Sequence, residues 1–242
     1  MRLGIWGGAL AVLGLVALAN SVQAASTDQR YDVYASGIKL GSLALKADNN
    51  GSQYAVSGRV SGGGLVGIFV TFDFSGTSQG SVRTDGRLQP IAYQARSDDG
   101  KTARTTRIAY RGGTPVSVST DPPRNPRAYD AKPGAQGGTL DPISAVYAIL
   151  GDAPVGQACG KTVEVFDGNR RSRLALGARQ AAGDGRFVCA GTYTRVAGYS
   201  EKLLREKRTF PFQIQWLDRD GMMRVERFST DTTFGRVNAI RR

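Results

Sequence analysis

The sequence predicts a mainly β protein, and three observations predict it. After residue 24 the dominant hydropathy pattern has a period of two. The alternating stretches are separated by Asp-Gly, Asn-Gly and Gly-Gly signals of the kind that close antiparallel hairpins. Only one segment, residues 139–151, carries helix punctuation at both ends.

Residues 1–24 come first and read as a cleaved signal peptide. Arg2 precedes an apolar run over 3–19, and Val22 and Ala24 occupy the −3 and −1 positions of a small-residue cleavage site. A membrane anchor needs about 20 apolar residues, and this run is shorter and broken by Gly7, Gly8 and Gly14. No cysteine stands at the cleavage point, so a lipoprotein anchor there is excluded. The expected product is one β-rich domain over 25–242, exported to a periplasm of the Gram-negative type. Residues 1–24 hold Arg2 and no acid, so 31 of the 32 Lys+Arg face all 20 Asp+Glu and the net charge becomes +11.

The strands then follow in order. Residues 31–35 and 38–46 form a hairpin across Ser36 and Gly37, and the turn at Asp48–Gly51 leads into 53–60. Val70, Phe72 and Phe74 alternate with polar residues; Asp85-Gly86 ends that strand, and Ile91, Tyr93 and Ala95 begin another. Turns at 98–100 and 111–113 bound a strand over 102–110 and deliver Val116 and Val118. Residues 121–138 hold four prolines and three glycines and read as a crossing between two β halves. The helix comes next, with Asp141 as N-cap, Pro142 at the first helical position and Gly151 as its stop. It is apolar around most of its circumference, which suits a cover on a sheet face. Strands resume at 162–166, turn at Asp167-Gly168-Asn169, and continue at 171–176 and 187–196. Phe210, Phe212, Ile214 and Trp216 share one face before a turn at 218–221 and a strand over 223–228. The reading is a dozen or so strands and one short helix.

Cys159 and Cys189 are the only cysteines. An even count in an oxidising compartment predicts one disulfide, stabilising by roughly 3–4 kcal/mol on chain-entropy grounds. A redox pair uses close C-x-x-C spacing instead. The chain has no histidine, which removes Ser–His–Asp and Cys–His nucleophiles and the commonest zinc ligand. An oxygen-only Ca²⁺ site stays open, although no Asp-rich loop has the EF-hand spacing; no catalytic set, metal site or cofactor is assigned from the residues.

Three motif-like strings carry little. Gly62–Gly67 matches G-x-G-x-x-G but leads into a strand, not a helix. The stretch 156–162 is one residue short of a phosphate loop, and Ser36-Gly37-Ile38-Lys39 places its Ser-x-x-Lys across a turn. Paired carboxylates among Glu164, Glu201, Glu206 and Glu226, with Asp141 and Asp167, leave a glycosidase-like chemistry open. The basic balance points to anionic envelope partners. Arg170, Arg171 and Arg173 are the candidate anionic contacts, with a second basic run over 202–208. Solvated surface charge is the plainer reading of both.

Several strings together resemble one family: Tyr31-Asp32-Val33-Tyr34, Gly37–Gly41, Leu140–Ala145, Val165–Arg171 and Thr233–Val237. The chain resembles the bacterial envelope family catalogued as domain of unknown function 3108, across nearly all of its length after residue 24. The resemblance implies a periplasmic β protein with no assigned catalytic residues. More distantly the chain is similar to envelope-integrity proteins with a spiral β-sheet and to the lipoprotein-carrier fold. These imply a large antiparallel sheet, strongly curved or spiral, open and barrel-like, with one short covering helix.

The leading expectation is a non-catalytic periplasmic protein that supports the envelope and binds a lipid or other apolar ligand in a groove under helix 141–150. Phe69, Phe72, Phe74, Tyr147, Phe212 and Trp216 are its candidate lining, although each is favoured as ordinary core. The alternatives are an enzyme acting on a wall or lipid substrate through carboxylates, and a docking module for an outer-membrane partner. Partners are expected to be a lipid or an envelope protein, with peripheral membrane contact and without nucleic acid. The oligomeric state is not legible.

Overall fold

The computed structural model describes residues 25–62, 72–232 and 235–242. The expected signal segment, most of the glycine run after Gly62, Phe69, Val70, Thr233 and Phe234 lie outside the described residues.

Strands β1 (Ala25–Ala35), β2 (Ile38–Asn49), β3 (Gln53–Gly62) and β4 (Asp73–Val82) are followed by β5 (Leu88–Asp98), β6 (Ala103–Arg111) and β7 (Thr114–Asp121). Helix α1 (Pro142–Leu150) and the two-residue strand β8 (Ala153–Pro154) come next. Then come β9 (Thr162–Phe166), β10 (Arg171–Ala181), β11 (Arg186–Ala197), helix α2 (Glu201–Glu206), β12 (Thr209–Arg219), β13 (Met222–Thr232) and β14 (Gly235–Arg241). The sheet runs β7-β6-β5-β4-β3-β2-β1-β14-β13-β12-β11-β10-β9, with β8 paired to β13. Every neighbouring pair of strands in it is antiparallel, and β1 meets β14 from Tyr31↔Arg241 to Ala35↔Val237 in its middle. No helix among the described residues is long and apolar enough to cross a membrane.

The sheet is open but curled, because strands this long twist and their inward residues converge on one core. Tyr31, Leu45, Tyr54, Val56, Ile108, Ile214, Trp216 and Val225, from both halves of the sheet, belong to that single cluster. The free edges β7 and β9 are bridged by the Pro/Gly-rich crossing. Gly138 donates its N–H to Gly113 beside β7 at 3.0 Å, and Ala131 donates to Asn169 after β9 at 2.9 Å. Leu140 pairs in parallel with β9, donating to Glu164 and accepting from Phe166 at 2.8 Å each. The crossing between two β halves is thus the seam that blunts both edges.

Helix α1 forms as its caps predict. Asp141 Oδ1 accepts the N–H groups of Ile143 and Ser144 at 3.0 and 2.9 Å. Gly151 ends the helix for want of space rather than for a left-handed turn: its φ is −60°. A Cβ there would lie 2.6 Å from the Tyr147 carbonyl. α1 lies inside the curl, with Ile143 against Gly58 of β3 and Tyr147 stacked on Tyr54 at 6.5 Å.

Several expectations need correction. Ile91 and Val116 are not inward residues: they are 53% and 52% exposed. A bulge pairs Gln79 with Ala92 but Gly80 with Pro90, and another pairs Ala109 with Ser117 but Tyr110 with Pro115. Each bulge adds one residue and reverses the facing of what precedes it. β4 begins at Asp73, so Phe72 stands outside it, and its length comes from a Ser/Thr/Gly stretch without apolar alternation. α2, β8 and β14 were not foreseen.

Candidate functional site

One end of the curl opens into a polar hollow of about 380 Å³. Inward residues at the ends of β4, β5, β6 and β7 form one wall: Phe74, Tyr93, Ser97, Arg104, Thr106 and Thr120. The crossing adds Arg124 and Arg127, α1 adds Pro142, and the β9–β10 turn adds Asp167, Asn169 and Arg170. Four arginines and one aspartate thus line the hollow, with Arg124 already paired to Asp130 behind it.

Their positions are fixed locally. Arg124 makes a two-pronged pair with Asp130, both N–O distances 2.6 Å, and this holds the Asp130 carboxyl below its usual range. Arg104 Nε donates to the Pro122 carbonyl at 3.2 Å. Arg170 lies 5.4 Å above the Tyr199 ring and, among the described residues, its guanidinium donates to no protein acceptor. Asp167 caps its own turn, accepting from the N–H groups of Asn169 and Arg170 at 3.0 and 2.8 Å. Burial pushes its carboxyl up, against these hydrogen bonds and the charges of Arg170 and Arg124. Such a hollow can hold one anionic group by charge-assisted bonds.

A second polar cluster lies deeper. Asp141, 0% exposed, accepts from the hydroxyls of Ser78 and Ser144 through Oδ2 at 2.6 and 2.7 Å, and Tyr54 meets Ser144 at 2.8 Å. Burial raises the Asp141 carboxyl. Oδ1 caps α1, while the bonds of Ser78 to Asp141 and Ser144 and of Tyr54 to Ser144 hold α1 to β4 and β3.

A model of the family described as "Protein of unknown function (DUF3108)" matches residues 30–240. The chain belongs to that family. It is also similar to a solved structure, a β-barrel-like protein of the domain of unknown function DUF1849 from Brucella abortus. Identity is 13% and the TM-score 0.49, with 91% of this chain and 97% of that one covered. Among curated proteins none matches.

The candidates from sequence disperse over this DUF3108 fold. Phe74 reaches the mouth. Phe72 is 42% exposed outside β4, and Tyr147 is half-buried on α1. Phe212 and Trp216 lie in the core among inward neighbours of β11 and β13, so they fill the curl rather than line a groove. Phe69 is outside the described residues. Of the three anionic candidates, Arg170 lines the mouth, while Arg171 and Arg173 pair with Glu164. Cys159 and Cys189 are bonded. Among the candidate carboxylates, Glu226 pairs with Arg186 and Glu201 with Arg205. Ser36 sits in the β1–β2 turn, where Lys39 pairs with Asp32 at 2.7 Å, and the 156–162 string leads straight into β9. Arg104, Arg124 and Arg127 were missed. Arg104 was legible, sharing the parity of Thr106, Ile108 and Tyr110 on β6; the two crossing arginines carried no periodic signal.

Proposed function

We propose that the protein is a non-catalytic binding protein of the periplasm that supports the cell envelope. Its mouth receives the anionic head of an envelope molecule, a phosphate or carboxylate. The observation that carries this reading is the set of four arginines lining a hollow of about 380 Å³, a size suited to a head group. The disulfide and the basic balance accord with export and an anionic partner. The ligand enters as a head group at this polar mouth rather than as a chain in an apolar groove under α1.

The test is calorimetric titration with glycerol 3-phosphate as probe, using the wild type and the double variant Arg104→Gln/Arg170→Gln. Binding weakened tenfold or more by the variant is expected, since a hydrogen bond to a charged group contributes about 1.5–3 kcal/mol. Absence of wild-type binding to both glycerol 3-phosphate and citrate, a carboxylate probe, would sink the reading. So would equal affinities in the two proteins.

A further inference from the structure

A second concentration of arginine lies on the outward face of β11–β14, with Arg241 reaching its edge from the inner face beside Tyr31. Arg186, Arg219, Arg224, Arg227, Arg241 and Arg242 border a hollow of about 700 Å³. Its shape has a local cause. Gln215 pairs with Arg227 but Trp216 with Val225, which leaves Glu226 as the extra residue of a bulge. Glu226 accepts from Arg186 Nε at 2.9 Å and from Gln215 Nε2 at 3.3 Å.

The charges there do not cancel. Six arginines face two lining acids, Asp220 and Glu226, a balance of +4. Asp152, which pairs with Arg241 and Arg224, Asp184, which pairs with Arg186, and Asp32, which pairs with Arg242, bring it to +1. Arg219 and Arg227 are exposed and make no side-chain hydrogen bond or ion pair among the described residues. Apolar side chains are interleaved: Ile240 lines the hollow, Met222 pairs with Arg219 across the β12–β13 turn, and each is 36% exposed.

We propose that this face docks on an anionic bilayer surface. A bilayer supplies both things the face is built for, phosphate head groups for the guanidiniums and an apolar layer beneath them for Ile240 and Met222. At the mouth, by contrast, Arg124 and Arg170 are held against Asp130 and Tyr199 to meet one group; here Arg219 and Arg227 are free to follow a fluid layer. Each arginine near such a surface is worth about fivefold in partitioning, and salt screens the attraction. The inference rests on residues distinct from those of the mouth.

Co-sedimentation of the purified protein with phosphatidylcholine vesicles, with and without phosphatidylglycerol, tests it. Expected is sedimentation only with phosphatidylglycerol, reversed by high salt. Arg219→Glu/Arg227→Glu should weaken it more than tenfold, while Arg59→Glu/Arg96→Glu, the same charge change on β3 and β5, should leave it nearly unchanged. Circular dichroism of both variants confirms folding, which their exposure makes safe. Equal losses in the two variants would assign binding to net charge and overturn the proposal, as would failure to bind phosphatidylglycerol vesicles. Release by excess glycerol 3-phosphate would overturn it too, placing the contact at the mouth.

Discussion

Asp141 shows how much one side chain does at the residue scale. Its two oxygens accept four bonds, two from the first turn of α1 and two from Ser78 and Ser144. An oxygen so occupied and fully buried has no capacity left for proton transfer to a substrate, which is why a carboxylate mechanism finds no support at this position. Asparagine can cap equally well, and the serine hydroxyls can rotate to accept from its amide. Asp141→Asn therefore costs about 1 kcal/mol or less. Asp141→Ala removes the cap, worth about 1 kcal/mol, and one hydrogen bond from each of two buried hydroxyls at about 1 kcal/mol apiece, while Ser78 keeps Ala92 and Ser144 keeps Tyr54. Urea unfolding of the two variants checks this. Equal losses would mean that the cluster does not anchor α1.

At the scale of elements, the disulfide ties the segment between α1 and β9 to β11, two strands in from the β9 edge. Cys189 is buried on β11, opposite Ile214, and its partner Cys159 lies 30 residues earlier. A loop of that length predicts a loss of about 3–4 kcal/mol for Cys159→Ala/Cys189→Ala. That corresponds to roughly 10 °C in melting temperature for a chain of this size. A melting temperature unmoved by dithiothreitol would show that the link contributes nothing. The pair was legible because only two cysteines exist. α1 was legible because Asp141, Pro142 and Gly151 bound it, and β12 because Phe210, Phe212, Ile214 and Trp216 alternate without a bulge. Where a bulge shifts the period, as at Ile91 and Val116, hydropathy alone places residues on the wrong face. β4 escaped for a related reason: inside the curl, Gly76 and Gly80 pack backbone close to Ala95 and Gln89, so small residues replace the apolar ones a pattern search needs. The mouth depends on long-range assembly of β6, the crossing and the β9–β10 turn, and of its four arginines only Arg170 was picked out beforehand.

For the whole molecule, the curled sheet buries phenols, and this sets its behaviour in alkali. Burial pushes the hydroxyls of Tyr31, Tyr54, Tyr93, Tyr110 and Tyr199 above their ordinary value of 10.0. Lys161, whose ammonium donates to the Ala148 carbonyl of α1, is pushed down to about 8 by burial. The two effects have opposite signs. Between about pH 8 and 10.5 the unfolded chain holds more protons on Lys161 than the folded one, so this group makes stability rise with pH. Above pH 10.0 the unfolded tyrosines lose protons that the folded ones keep. Each fully shifted phenol then removes about 1.4 kcal/mol per pH unit. Five phenols outweigh one amine, so stability should rise gently to about pH 10 and fall steeply beyond it, with unfolding within roughly one to two pH units of a typical reserve of 5–15 kcal/mol. Urea midpoints taken across that range, with tyrosinate absorbance on the same samples, decide the matter. The isoelectric point of about 10.1 lies in the same window, so refolding yield must be followed to separate unfolding from precipitation. Lys161→Met should flatten the rise and leave the fall in place. Tyrosinate absorbance climbing before the fold is lost would mean that these phenols face solvent, and that the curl is looser than its packing implies.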